Sequence, residues 1–64
     1  MTSADLRQLR LDLGLTQTEW GRWLGIGRRH VAKLEAGLEP SETLRLLAEA
    51  YRDGWRPSPS ALER

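Results

Sequence analysis

Residues 16–37 read TQTEWGRWLGIGRRHVAKLEAG, and this stretch decides the fold. Thr16 stands three residues before Glu19, so its hydroxyl can accept the N–H of Glu19 while the carboxylate reaches back to the N–H of Thr16, a capping box. Leu15 and Trp20 occupy the N′ and N4 positions, where apolar side chains staple the incoming chain to the first turn. The spacing predicts a helix over Gln17–Leu24 that buries Trp20 and Leu24, with Gly21 on the flank between them. A glycine inside a helix costs roughly 0.5–1 kcal/mol, which is easier to understand if another helix crosses closely there. Gly25-Ile26-Gly27 leaves three residues before the next helical pattern and forces a sharp crossing. That pattern predicts a helix over Arg28–Ala36, with Gly27 as N-cap and Gly37 as its stop. Its wheel has two sides: Val31, Leu34 and Glu35 share one, and Arg28, Arg29, Ala32, Lys33 and Ala36 share the other.

Working outward, Ser3 is expected to cap a first helix over about residues 4–13, with Asp5 in the first turn and Gly14 closing it. Leu6, Leu9 and Leu13 form its apolar stripe, and Arg10 falls beside them on the same side. An unpaired charge on a buried face costs several kcal/mol. The candidate partner is Glu35, and the alternative is that Arg10 snorkels to solvent. Leu11 points away from the stripe. Downstream, Ser41 is expected to cap a fourth helix over about residues 42–52, whose inner face carries Leu44, Leu47, Ala48 and Tyr51 while Leu46 faces outward. Trp55 follows, with two readings open: a lid folded onto its own core, or a contact in self-association. Ser58-Pro59 can start a last helical turn over about residues 59–63.

The whole chain bounds these readings. At 64 residues it is expected to form a single domain, because so short a chain buries only about 60% of its unfolded surface and cannot be divided further. It has no cysteine, so neither a disulfide nor a thiolate metal site staples it. No apolar run approaches the roughly 20 residues of a membrane span and the N-terminus lacks the order of a signal peptide, so a cytoplasmic location without membrane contact is expected. Net charge is only +1, yet the distribution is uneven. No acid lies between Glu19 and Glu35, where Arg22, Arg28, Arg29, Lys33 and the single histidine His30 fall, while Asp5, Asp12, Glu39, Glu42, Glu49, Asp53 and Glu63 lie outside. His30 at the wheel margin reads as a boundary histidine. With one histidine, no cysteine and a core too small for a cleft, no enzyme, metal, cofactor or small-molecule site is expected.

A capped helix, a three-residue turn and a second helix that is basic and alanine-spaced on its outer side form the arrangement that places a helix in a DNA major groove. Ala32 and Ala36 let the backbone approach base edges, while Arg28, Arg29 and Lys33 reach further, toward acceptors such as guanine O6 and N7. Gln17, at a helix N-terminus with free N–H groups, suits a phosphate, and Arg22 is a second candidate for one.

The pattern L-x9-TQ-x-E-W-G-x2-LGIG-x3-V-x2-LE-x-G, within residues 6–51, resembles the lambdoid phage repressor and Cro family, the XRE-type helix-turn-helix. The resemblance implies an all-α, compact four- to five-helix, lambda-repressor-like domain that binds palindromic double-stranded DNA as a two-fold homodimer. It implies that Gly27, Arg28, Arg29, Ala32 and Lys33 enter the groove, and that Gln17 touches the DNA backbone and braces the reading helix. It also implies an ion pair at Arg10 and Glu35. Gly27 departs from the usual Ser or Thr, Gly21 from the usual Ala, and Trp23 from a solvent-facing polar residue. The loop after Gly37 is acidic where relatives are often basic, which leaves the N-terminus of the fourth helix, with Ser41, to supply phosphate contacts there.

Two functions stay open on the sequence. One is a homodimeric transcriptional repressor of the small phage or mobile-element kind, reading an operator. The other is a protein-interaction module, an antitoxin or adaptor, using Trp23, Leu46, Trp55 and Leu62.

Overall fold

The computed structural model describes residues 1–58, so the expected turn over residues 59–63 and Leu62 lie outside the described residues. Four helices form, α1 (Ser3–Asp12), α2 (Gln17–Leu24), α3 (Arg28–Ala36) and α4 (Glu42–Arg52), with no strand among the described residues. The fold is all-α.

The start of α1 corrects the expectation. Thr2, not Ser3, is the N-cap: its hydroxyl accepts the Asp5 N–H at 3.1 Å and its own N–H donates to Asp5 Oδ2 at 2.9 Å. Ser3 is therefore the first helical residue, and Leu13 follows the last. Aspartate three residues after a threonine completes the same reciprocal bond that glutamate completes in α2. In α2 the Thr16 hydroxyl accepts the Glu19 N–H at 3.1 Å and Glu19 Oε1 accepts the Thr16 N–H at 2.9 Å. Ser41 caps α4, its hydroxyl accepting the Leu44 N–H at 3.3 Å. Gly27 caps α3 without a side-chain bond.

Each helix closes in the same way. The N–H groups of Leu15, Ile26, Leu38 and Trp55 donate to the carbonyls of Arg10, Gly21, Lys33 and Ala50, five residues back, at 2.9–3.1 Å. The intervening residues are Gly14, Gly25, Gly37 and Gly54, with φ of 72°, 74°, 126° and 108°. This is the glycine-terminated closure that satisfies the orphan carbonyls of a last turn.

The core is Leu6, Leu9, Trp20, Leu24, Val31, Leu34, Ala48 and Tyr51, drawn from the inner stripe of every helix. α3 packs on both α1 and α2, and α4 closes the other side of α2. Leu13, Leu15, Trp23, Ile26, Leu44 and Leu47 pack around this centre as half-buried residues. Aromatic rings form one run across it: Trp20, Trp23 and Trp55 each lie near Tyr51, with ring centroids 5.7, 5.2 and 5.2 Å away. The Tyr51 hydroxyl donates to the carbonyl oxygen of Trp23. Trp23 thus covers the core from the α2 side, and the Arg56 guanidinium sits 5.9 Å above its ring.

The reason for Gly21 also differs from the one expected. A Cβ at Gly21 would lie 2.7 Å from the Ile26 carbonyl oxygen, against 3.4 Å from Val31 Cγ2. The tight neighbour is the backbone of the turn between α2 and α3, and the crossing helix lies at ordinary contact distance.

Candidate nucleic-acid interface

The outer side of α3 stands clear of the core. Arg28, Arg29, Lys33 and Ala36 are exposed, and Ala32 between them is half-buried. Small residues alternating with long cations leave the backbone approachable while the charges reach beyond it. Gly27, at the head of the helix, is exposed too. Its φ of −79° and ψ of 162° suit any residue, and a Cβ there would meet nothing within 4 Å. The missing side chain therefore leaves open space where α3 begins. His30 sits half-buried at the margin.

What fixes α3 in place is a set of hydrogen bonds behind it. Arg10 Nε donates to Glu35 Oε2 at 2.8 Å and Arg10 Nη2 donates to Glu35 Oε1 at 3.1 Å, a two-bond fork across α1 and α3. The third nitrogen, Nη1, donates to the Leu15 carbonyl at 3.0 Å, just ahead of α2. These side chains are only 12% and 7% exposed. Planar guanidinium geometry suits such a fork, and pairing is what makes a nearly buried charge tolerable. Snorkelling of Arg10 to solvent is not what the structure shows.

Gln17 joins the same group. Its Nε2 donates to Glu35 Oε1 at 3.3 Å, so this oxygen accepts from α1 and α2 together. Every buried side-chain nitrogen and oxygen among the described residues has a hydrogen-bond partner. The helix wheel locates Arg10 and Glu35 on inner faces, but it holds no sign that Gln17 and the Leu15 carbonyl converge on the same two residues.

The remaining candidates lie apart. Arg22 is exposed at the end of α2. Ser41 is exposed, with its hydroxyl oxygen already engaged by the Leu44 N–H. Exposed Glu39 and Glu42 flank Ser41, placing negative charge around that N-terminus. At the start of α2, the backbone N–H of Thr16 and then its hydroxyl hold the Glu19 carboxyl below its ordinary 4.5. Leu46 and Trp55 are 53% and 52% exposed. Trp55 stacks beside Tyr51 yet leaves half its surface open, so it is an incomplete lid.

A family model described as a helix-turn-helix domain matches residues 3–52. No curated protein matches, and no solved structure does.

Proposed function

The chain belongs to the helix-turn-helix domain family, and from that premise we propose that it is a sequence-specific double-stranded DNA-binding transcriptional regulator, a homodimeric repressor that reads the major groove of a palindromic operator with α3. The observation that carries this reading is the exposed face of α3, where Arg28, Arg29 and Lys33 project around Ala32 and Ala36. Arg28, Arg29, Ala32, Lys33 and Gly27 meet base edges. Gln17 and Arg22 meet phosphates, with the N-terminus of α4 at Ser41 a further contact. The short turn and the Arg10–Glu35 fork hold the reading face at one angle to α2, so phosphate contacts by α2 set the register in which α3 reads.

Selection of bound duplexes from a random library tests the proposal. Enriched sequences should be palindromic, with half-sites about 10–10.5 bp apart, centre to centre. Recovery of no enriched sequence would remove it, and a single unrepeated half-site would remove the dimer.

The half-exposed Trp55 and outward Leu46 favour a second reading, an antitoxin or adaptor that binds another protein through this surface. Co-purification with a partner and no mobility shift on duplex DNA would select that reading instead.

A further inference from the structure

We propose that Arg56, which lies beyond α4 and outside the matched residues 3–52, is a positioning residue for the head of α3, acting through Tyr51 and Trp23. The inference deepens the DNA-binding reading and rests on it. A helix ends in carbonyls that have no partner within it. In α2 two of these are closed from the turn that follows: the Ile26 N–H donates to the Gly21 carbonyl at 2.9 Å and the Gly25 N–H to the Arg22 carbonyl at 3.3 Å. The next carbonyl, on Trp23, takes no backbone N–H among the described residues. It is closed from α4 instead, by the Tyr51 hydroxyl. A last turn without its caps frays, and this one leads through Gly25, Ile26 and Gly27 directly into α3.

Tyr51 is in turn held by the segment after α4. Arg56 Nη1 donates to the Tyr51 carbonyl at 3.0 Å and to the Trp55 carbonyl at 2.7 Å, and the Trp55 ring lies 5.2 Å from the Tyr51 ring, centroid to centroid. The same guanidinium sits 5.9 Å over the Trp23 ring, where a cation is attracted to the aromatic face. Trp23, Tyr51 and Arg56 therefore form a closed circuit between the end of α2 and the end of α4. α3 has its other anchor at Glu35, one residue before its last, through the fork from Arg10. Its head, with Gly27, Arg28 and Arg29, hangs from the turn that the circuit steadies.

Two variants separate this from general stability and from a direct charge effect. Arg56→Ala removes an exposed side chain, and Tyr51→Phe keeps the buried ring while removing the bond to the Trp23 carbonyl. After melting has shown both folded, amide hydrogen exchange is followed in the free protein. The Ile26 N–H should exchange about three- to tenfold faster in each, the effect of one lost hydrogen bond on a local opening, while the Leu9 and Arg10 N–H groups in α1 keep their rates. Affinity for the duplex selected from a random library should fall by a similar factor. Affinity for a mixed-sequence duplex of equal length, and the salt slopes on both, should stay unchanged, because Arg56 neutralises no phosphate. Unchanged Ile26 exchange in either variant, or equal acceleration in α1, overturns the proposal. So does full affinity for the selected duplex, or an equal loss on both duplexes with a shallower salt slope, which would make Arg56 a phosphate contact. If the wild-type chain binds no duplex at all, the DNA-binding reading fails by itself, and the exchange rates still decide whether Arg56 steadies the turn.

Discussion

The Ile26 carbonyl oxygen lies 2.7 Å from the point where Gly21 would carry a Cβ. The turn between α2 and α3 is thus closed over a position that has no side chain, and the crossing of the two helices depends on that vacancy. Gly21→Val would press a branched side chain against backbone on one side and Val31 on the other. A loss of about 2–3 kcal/mol is expected from overpacking, despite better helix propensity. Urea unfolding measures it, and a change below about 0.5 kcal/mol, the ordinary range of surface substitutions, would mean that the turn gives way easily.

The proposed reading separates residues by what they touch. Arg28→Ala or Arg29→Ala should cost about 1–3 kcal/mol on the selected duplex and relax specificity at particular base pairs. Gln17→Ala and Arg22→Ala should weaken selected and random duplexes alike. Titrations on both duplexes across a salt series compare them, and equal losses for all four variants would refute the division of labour.

Two exposed carboxylates tie helix starts to pH. Hydrogen bonds from the backbone N–H and then the hydroxyl of Thr2 lower the Asp5 carboxyl below its ordinary 3.8, as Thr16 lowers Glu19 below 4.5. A depressed carboxyl contributes stability that is present above the unfolded value and is lost as pH falls through the folded one. Melting temperature should therefore fall as pH is lowered below about 4.5, the unfolded value for Glu19. Asp5→Asn with Glu19→Gln should flatten that fall, and an unchanged acid limb would show that other groups govern it.

At the alkaline end the direction reverses. Burial raises the Tyr51 hydroxyl above its ordinary 10.0, so the neutral form is favoured in the folded chain. Its contribution is complete below pH 10 and is lost as pH rises through the higher folded value. Tyr51→Phe removes this dependence together with the bond to the Trp23 carbonyl. A cost of about 0.5–1.5 kcal/mol at neutral pH is expected, and spectrophotometric titration of the wild type should show the phenol ionising late.

Much of the scaffold could be read from local pattern because its boundaries are set locally. Thr16 with Glu19 and Gly37 behind Ala36 are short-range devices, and the observed ends of α2 and α3 fall at those residues. The start of α1 shifted by one because Thr2 with Asp5 is the same device with a shorter acid. Arg10 and Glu35 could be matched because each is a charge on an otherwise apolar helix face. Gln17 on Glu35, the Tyr51 hydroxyl on the Trp23 carbonyl and Arg56 over the Trp23 ring could not. These contacts join segments 18 to 33 residues apart; in that range only the folded path of the chain decides which groups meet, and polar or aromatic side chains at helix margins carry no periodic signal of their own.

Gly37 ends α3 after nine residues. At 1.5 Å per residue this is a rod of about 13 Å, the length of about four base pairs at roughly 3.4 Å each. Four positions distinguish at most about 256 words, while a genome presents on the order of 10⁶–10⁹ competing sites. One copy of this helix therefore carries too little information to name a single address, and a regulator built on it must combine at least two readings of the DNA.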